Sequence, residues 1–282
     1  MSTLWSALEE ERPVQIVGAV NAYTAMLAAR AGFRALYLSG SGVATASFGL
    51  PDLGFTTLTD VAEETRRVAG ATDLPLLVDA DTGWGPPPMV ERAVRELERA
   101  GAAAVQIEDQ VLEKRCGHRP DKRLVTAETM EARVAAAAAA RRDASFAVVA
   151  RTDAIAVEGL DAAIERAQRY VAAGADIIFV EAVTSLEDYA EAAKATGVPI
   201  LANLTEFGVT PLFTLEELRD AHVAFALYPL SAFRAMSAAA VRVFESIRRD
   251  GTQAEVVEDM QTRAELYEVL DYEAYERRMD DS

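Results

Sequence analysis

The sequence has little of several features that would define particular protein classes. It contains one cysteine, Cys116, so no disulfide can form within the chain. The longest run of small apolar residues, 134–140, is far shorter than the roughly 20 residues that span a bilayer. The first 13 residues contain three consecutive glutamates and no apolar core, unlike a signal peptide. We therefore expect a cytoplasmic protein with no membrane partner.

Positive charge is also scarce. The chain has 28 lysines and arginines against 45 aspartates and glutamates, a formal net charge of −17. Phosphate backbones repel a protein this acidic, and no basic cluster is dense enough to reverse the effect locally. We expect no nucleic-acid partner, and a site for an anionic substrate needs cations of its own.

What is present is an alternation of short β-rich runs and helical stretches. Most of the runs are nearly continuous Val, Ile, Leu and Ala, which is typical of parallel strands buried on both faces. The predicted strands are residues 14–20, 35–39, 76–81, 104–109, 147–153, 176–181, 200–204 and 223–228.

Eight strand–helix units in 282 residues predict the α/β class and a single (β/α)₈ barrel, the TIM-barrel fold. A doubly wound open sheet is the alternative. Residues 18–21, which follow the first strand, lack the Gly-rich phosphate-binding pattern of that fold, so the barrel is favoured.

We predict one barrel domain over residues 1–282. Residues 231–282 are expected to form the last barrel helix and additional C-terminal helices. This tail is rich in apolar side chains, so it needs a partner surface. Two readings stay open: the tail packs on its own barrel, or it forms an oligomer interface.

Polar residues end most of the predicted strands. In a barrel the carboxyl ends of the strands meet at one mouth, where catalytic residues lie, so this pattern predicts an enzyme. The residues at strand ends are Ser39, Asp79, Asp81, Glu108, Asp109, Arg151, Asp153, Glu181 and Asn203.

Asp79 and Asp81 are two positions apart on a predicted strand, so their side chains should share a face. Two buried like charges are costly unless a cation joins them, and Mg²⁺ prefers carboxylate and water oxygens. With Glu108 and Asp52 directed at the same mouth, we favour a magnesium site, with Mn²⁺ as a possible substitute. The alternative is that the aspartates cap helices or pair with arginines.

Cys116 lies in a loop after the fourth strand, in the segment KRCGHRP at residues 114–120. Neighbouring cations stabilise a thiolate and make a thiol a usable acid or nucleophile. The alternative, a small buried hydrophobe, suits aliphatic neighbours better than these. Arg151 and Arg234 are candidate cations for an anionic substrate, although each could pair with a structural acid instead.

The segment at residues 114–120 resembles the characteristic loop of the isocitrate lyase and phosphoenolpyruvate mutase superfamily. The Arg119–Pro120 pair is similar to the 2-methylisocitrate lyase branch. The resemblance extends over nearly the whole chain, at residues 36–42, 49–54, 76–81, 107–120, 150–168, 200–213, 221–236 and 261–267.

The resemblance implies Mg²⁺-dependent cleavage of a small tricarboxylate, 2-methylisocitrate, to pyruvate and succinate, in the methylcitrate cycle of propionate catabolism. It also implies a homotetramer with exchanged C-terminal helices. Cys116 is then the general acid, with Tyr37 as a conceivable base and His118 as a further catalytic candidate. Asp79 and Asp81 serve the metal, with Asp52 and Glu108 acting through bound water.

The same resemblance implies the substrate contacts. These are Ser39, Gly40, Ser41, Cys116, Gly117, Arg151, Glu181, Asn203, Leu204, Thr205, Arg234 and Arg263. Ser41 departs from the pattern, where glycine is expected, so its role is open.

Substrate choice depends on a recess for one methyl group, which the resemblance places near Phe179 and Leu227. One methyl is worth only about 1–3 kcal/mol of discrimination, so isocitrate is an alternative substrate. Other superfamily reactions are phosphonopyruvate hydrolysis, oxaloacetate decarboxylation and dimethylmalate cleavage. A non-catalytic carboxylate-binding barrel is the alternative from another class.

Overall fold

The structure is a computed structural model that describes residues 2–117, 119 and 121–281. The chain divides into two compact units, Met1–Ser231 and Ala232–Ser282. The first contains eight strands, which are β1 Val14–Gly18, β2 Ala35–Leu38, β3 Leu76–Asp79, β4 Ala104–Glu108, β5 Ala147–Thr152, β6 Ile177–Val180, β7 Ile200–Asn203 and β8 Val223–Tyr228.

The strands form a closed barrel in the order β1 to β8, and every neighbouring pair is parallel. The first and last strands pair as well, with Ile16 opposite Leu227. The predicted (β/α)₈ barrel is therefore confirmed, and the alternative of an open doubly wound sheet is wrong.

The first helix precedes β1, and the following helices lie in the connections between strands. In chain order they are α1 Leu4–Glu10, α2 Ala22–Arg30, α3 Gly40–Gly42, α4 Leu58–Ala69, α5 Pro87–Arg99, α6 Ala127–Ala140, α7 Ile155–Glu158, α8 Leu160–Ala172, α9 Leu186–Thr196 and α10 Leu215–Asp220. A short π-helix, Val43–Ser47, continues α3. None of the helices in the described residues is long and apolar enough to cross a membrane.

The strands end one or two residues earlier than the sequence predicts, except for β8. The reason is visible after β3. The Ala80 N–H still donates to the Gln106 carbonyl at 2.9 Å, but Asp81 has a φ of 47° and leaves the extended conformation. The polar residues at strand ends thus divide into two groups. Some, such as Asp79 and Glu108, are the last residues of their strands, whereas Asp81 lies in the turn that follows.

Two apolar clusters hold the first unit together. One lies between strands and outer helices. The other fills the barrel interior, where Leu4, Ala7 and Leu8 of α1 pack with residues near strand starts such as Val14 and Ile177. Because strand starts lie opposite the mouth, α1 plugs the barrel at its amino-terminal end.

The second unit is helical. It contains most of α11 Ser231–Asp250, then a 3₁₀ helix Ala254–Asp259, α12 Arg263–Leu270 and α13 Tyr272–Asp280. The Tyr267 and Tyr272 rings stack with centroids 4.2 Å apart. Helix after residue 231 is confirmed, whereas its roles as last barrel helix and oligomer interface stay predictions.

Candidate active site at the barrel mouth

Asp79 and Asp81 converge at the carboxyl end of β3. The Gly40 N–H donates to Asp79 Oδ2 at 3.0 Å, and the Asp81 N–H donates to Asp79 Oδ1 at 3.1 Å. A Cβ placed on Gly40 would lie 3.1 Å from Asp81 Oδ1 and 3.2 Å from Asp79 Oδ2. The two side chains therefore come together as predicted, but the turn at Asp81 brings them together, not alternation along a strand.

A buried lysine lies among these carboxylates. Lys114 Nζ is 2.5 Å from Asp81 Oδ1 and 2.7 Å from Asp52 Oδ1. Burial alone would lower the pKa of Lys114, but four surrounding carboxylates, led by Asp81, raise it well above its usual value. Burial raises the pKa of Asp81 from 3.8 to about 6, although Lys114 acts in the opposite direction. The cluster is thus built around a positive charge.

Tyr37 belongs to a hydrogen-bonded chain that leads to Asp79. The Tyr37 hydroxyl donates to Gln106 Oε1 at 2.9 Å, and Gln106 Nε2 donates to Asp79 Oδ1 at 3.2 Å. Burial, with a further contribution from Asp79, raises the pKa of Tyr37 well above 10.0. A tyrosine held as a neutral donor is poorly suited to the role of a base. Its contacts indicate instead that it fixes the Gln106 amide.

Arg151 lies among several carboxylates at the end of β5. Its Nε and Nη2 atoms are 3.0 and 3.1 Å from Asp153 Oδ2 and Oδ1, a two-point contact. Nη2 is also 3.2 Å from Glu181 Oε2, and the guanidinium lies 5.1 Å from the Phe179 ring centroid. Arg151 therefore pairs with buried acids, which the sequence analysis gave as the alternative to substrate binding. These contacts use Nε and Nη2, so they fix the guanidinium without using its whole set of donors.

Glu181 and Asn203 lie next to this arginine. Asn203 Nδ2 is 3.3 Å from Glu181 Oε2, and Glu181 Oε1 accepts from the Ala182 N–H at 3.0 Å. Leu204 and Thr205 follow β7 and are buried, and the Leu204 N–H donates to the Leu227 carbonyl at 2.8 Å. The predicted strand-end positions on β5, β6 and β7 thus form one continuous wall of the mouth.

Ser39, Gly40 and Ser41 form the tight turn after β2. The Ser39 Oγ accepts from the Gly42 N–H at 3.3 Å, which starts α3. Gly40 approaches the two aspartates so closely that a side chain there would meet both carboxylates. Ser41 is half-buried in the same turn.

Residues 114–117 lie over the mouth. Lys114 contacts Asp81, and a Cβ on Gly117 would overlap Arg151 Nη2 and Glu181 Oε2. Cys116 lies between these two anchored residues and is exposed. The predicted thiol is therefore on a segment that reaches both the acid cluster and the arginine.

Three predicted site residues are not tested by this geometry. His118 lies outside the described residues. Arg234 and Arg263 lie in the second unit, Ala232–Ser282, and their parts in substrate binding stay predictions.

The carboxylates around Lys114, here called the acid cluster, fit a hydrated Mg²⁺ ion. They are those of Asp52, Asp79, Asp81 and Glu108. This ion usually binds proteins through one or two carboxylates and keeps several waters. Asp79 and Asp81 supply that number, and Glu108 Oε1 is buried with no hydrogen-bond partner in the described part of the chain. Within residues 2–117, 119 and 121–281, no three acidic, histidine or cysteine side chains form a complete metal-binding set. Water and substrate oxygens would supply the remaining ligands.

Several buried polar residues of the mouth were missed by the sequence reasoning. Lys114 was interpreted only as a cation near the thiol, and Lys122 and Gln106 were assigned no role. Asp109 and Asp153 were placed at strand ends but were given no individual part in the site. Gln106 gave a usable signal, because a glutamine inside the apolar run of β4 must find a buried partner. The partners of both lysines are distant in sequence, so no local pattern predicts them.

A cation-holding acid cluster, a fixed arginine and a thiol-bearing loop suit an enzyme that breaks a bond between carboxylate-bearing fragments. On this barrel they define a carbon–carbon lyase. Comparison with known proteins agrees. The family described as phosphoenolpyruvate phosphomutase matches residues 5–248. A protein of Escherichia coli (strain K12) described as 2-methylisocitrate lyase is 58% identical over 276 residues, covering 98% of this chain and 93% of its own.

Solved structures give the same result. A crystal structure of 2,3-dimethylmalate lyase superposes with a TM-score of 0.90 at 34% identity, covering 98% of this chain and 94% of the other. A phosphonopyruvate hydrolase in complex with oxalate and Mg²⁺ gives 0.85 at 32% identity, with coverages of 97% and 95%. The chain belongs to the phosphoenolpyruvate mutase and isocitrate lyase superfamily, and within it to the 2-methylisocitrate lyase family.

Proposed function

We propose that this enzyme cleaves the C2–C3 bond of 2-methylisocitrate to give pyruvate and succinate, with Mg²⁺ as cofactor and Mn²⁺ as a possible substitute. The observation that carries the proposal is the seating of residues 114–117, which brings the Cys116 segment over both the acid cluster and Arg151. The 58% identity to a 2-methylisocitrate lyase over 98% of the chain supports this substrate.

Asp79 and Asp81 would hold the ion directly, with Asp52 and Glu108 acting through bound water. When bound, Mg²⁺ would polarise the substrate hydroxyl and carboxylate oxygens as a Lewis acid. The absence of a side chain at Gly40 supports this assignment, because a Cβ there would lie 3.1 Å from Asp81 Oδ1 and 3.2 Å from Asp79 Oδ2 and would cover both oxygens.

We propose that the substrate carboxylates are bound along the wall of the mouth. Arg151 provides the positive charge that an acidic protein must supply to an anion, and its contacts with Asp153 and Glu181 hold the guanidinium in one orientation. The remaining proposed contacts are Ser39, Gly40, Ser41, Gly117, Glu181, Asn203, Leu204, Thr205, Arg234 and Arg263.

Cys116 is proposed to be the general acid. Removal of the hydroxyl proton lets the C2–C3 electrons pass to the fragment that becomes succinate, whose carboxylate delocalises the charge. The Cys116 S–H then donates its proton to that carbon, and the thiolate takes up a proton from solvent before the next cycle. The seated loop would exclude water from the electron-rich fragment.

The base that removes the hydroxyl proton has two candidates. Tyr37 is the candidate given by family likeness, but its raised pKa and its hydrogen bond to Gln106 favour a positioning role. His118 remains a candidate on the catalytic loop.

A release assay for 2-oxo acids tests the proposal. Purified protein is given 2-methylisocitrate or isocitrate with Mg²⁺, with and without a chelator. We expect pyruvate from 2-methylisocitrate, loss of activity with chelator, and a kcat/KM about 10- to 200-fold lower for isocitrate, because one methyl fills or leaves a small recess. A preference for isocitrate would assign an isocitrate lyase. No 2-oxo acid from either compound would favour a non-catalytic carboxylate-binding barrel.

We also propose a cytoplasmic homotetramer with exchanged C-terminal helices. The second unit exposes a series of large apolar side chains, which a solvated helix rarely carries unless it is covered. They are Met236, Val241, Phe244, Ile247, Val257, Met260, Tyr272, Tyr275 and Met279. Sedimentation equilibrium should give four times the chain mass of 30.4 kDa. A monomeric mass would contradict the assembly.

A further inference from the structure

Lys122 is a buried ammonium that the proposed reaction does not use. Its side chain is 1% exposed, and that of Asp153, which faces it, is 0% exposed. Lys122 Nζ donates to Asp153 Oδ1 at 2.8 Å and to the Gly117 carbonyl oxygen at 2.5 Å. Burying an ammonium is costly unless its charge and its donors are satisfied, so Lys122 holds these two partners at one point.

The Asp153 carboxylate binds both Lys122 and Arg151. Its Oδ1 atom accepts from Lys122 and also from Arg151 Nη2, while Oδ2 accepts from Arg151 Nε. The Asp153 N–H donates to Asp109 Oδ1 at 2.9 Å, and Asp109 Oδ2 accepts from the Tyr170 hydroxyl at 2.9 Å. The carboxylate that orients the arginine is thus fixed from behind.

Lys122 also lies near the end of the Cys116 loop, the segment between Asp109 and Val125 that carries the thiol. The Val111 N–H donates to the Arg123 carbonyl at 3.0 Å, and the Val125 N–H donates to the Asp109 carbonyl at 2.9 Å, so both ends of the loop are joined. Next to these paired ends, Lys122 Nζ donates to the carbonyl of Gly117, five residues earlier in the chain. Gly117 lies so close to Arg151 that a Cβ on it would overlap the guanidinium.

We propose that Lys122 is a positioning residue that couples seating of the Cys116 loop to the orientation of Arg151. Its ammonium joins the Gly117 carbonyl to the carboxylate that holds the guanidinium, so the thiol segment and the substrate cation come into place together. The kinetic consequence of this role rests on the proposed lyase function, whereas the seating of the loop does not.

The kinetic test compares Lys122→Met with Arg123→Met. Arg123 is next in sequence, but its side chain is 69% exposed and pairs only with exposed Glu113 in the contacts observed, so its loss removes the same charge without the buried contacts. We expect Lys122→Met to lower kcat about tenfold to a hundredfold, the size of one lost charge-assisted hydrogen bond, with KM changing less. Lys122→Arg, which keeps the charge, should restore part of kcat.

The seating test uses trypsin on the ligand-free protein and needs no turnover. Cleavage at the Arg115–Cys116 bond, followed by mass spectrometry, should be about tenfold faster in Lys122→Met than in wild type or Arg123→Met. Faster cleavage together with a wild-type enzyme that releases no 2-oxo acid would retain the role of Lys122 in seating the loop and reject the lyase function.

Two results would overturn the proposal: unchanged cleavage at Arg115–Cys116, or a kcat loss no larger than that of Arg123→Met. A lower melting temperature alone, with kcat retained below it, assigns Lys122 a structural role only and also overturns the proposal. Should Lys122→Met fail to fold, Lys122→Gln is measured in its place with the same two criteria.

Discussion

The Lys114 ammonium lies 2.5 Å from the Asp81 carboxylate, a buried ion pair that joins the Cys116 loop to the acid cluster. Lys114 Nζ is also 2.7 Å from Asp52 Oδ1. A metal ion that bound Asp81 through Oδ1 would share this oxygen with the lysine or displace it. Because Lys114 is two residues from Cys116, metal binding through Asp81 Oδ1 would then also affect the position of the Cys116 loop.

Asp79→Ala should abolish Mg²⁺-dependent activity. The substitution removes one of the two converging carboxylates, and Gly40 and Gln106 lose their acceptor as well. Calorimetric titration with Mg²⁺ should show the loss of binding directly. Asp161→Ala, at an exposed position of α8, is the control and should bind Mg²⁺ as wild type does. Unchanged metal affinity in Asp79→Ala would remove this residue from the metal site.

Cys116→Ser should lower turnover by about 10²- to 10⁴-fold, the usual contribution of a general acid, while substrate still binds. The thiol is exposed, so the melting temperature should stay the same. Since Cys116 is the only cysteine, reversible methylthiolation of the wild-type enzyme should inactivate it, and reduction should restore it. Near-normal turnover in the serine variant would exclude the thiol from the mechanism.

The metal-free protein should become less stable as pH rises from about 4 to about 6. Burial raises the pKa of Asp81 from 3.8 to about 6, so in this range the folded state binds more protons than the unfolded state. Stability then falls with rising pH, by about 3 kcal/mol at most for this group. Urea unfolding in chelator measures the slope, which Asp81→Asn should reduce. Parallel slopes in the two proteins would refute the assignment.

Arg151→Met should destabilise the protein by about 3–5 kcal/mol, since it leaves buried carboxylates without their counter-charge. Asp153 and Glu181 are 0% and 1% exposed, so solvent cannot replace the arginine. Arg95→Met, which breaks an exposed pair with Glu91, should change stability by less than about 1 kcal/mol. Chemical denaturation of both variants checks the prediction, and equal midpoints would contradict it.

The barrel was predictable from the sequence because parallel strands buried on both faces are mostly apolar, as β6 is along its whole length. The paired aspartates were predictable too, since polar residues at strand ends meet at one mouth. The ends of the strands were harder to predict, because apolar residues such as Ala80 continue beyond the last residue of the strand. Long-range contacts such as that of Lys122 with Asp153 depend on how a loop folds back, which no local spacing encodes.

Helix α1 closes the barrel at the amino-terminal end of its strands. Leu4, Ala7 and Leu8 fill the interior at the end away from the proposed site residues. Substrate therefore cannot enter from that end, and would reach the proposed site from the side that residues 114–117 cover. Substrate uptake and product release at this end would then each require residues 114–117 to move.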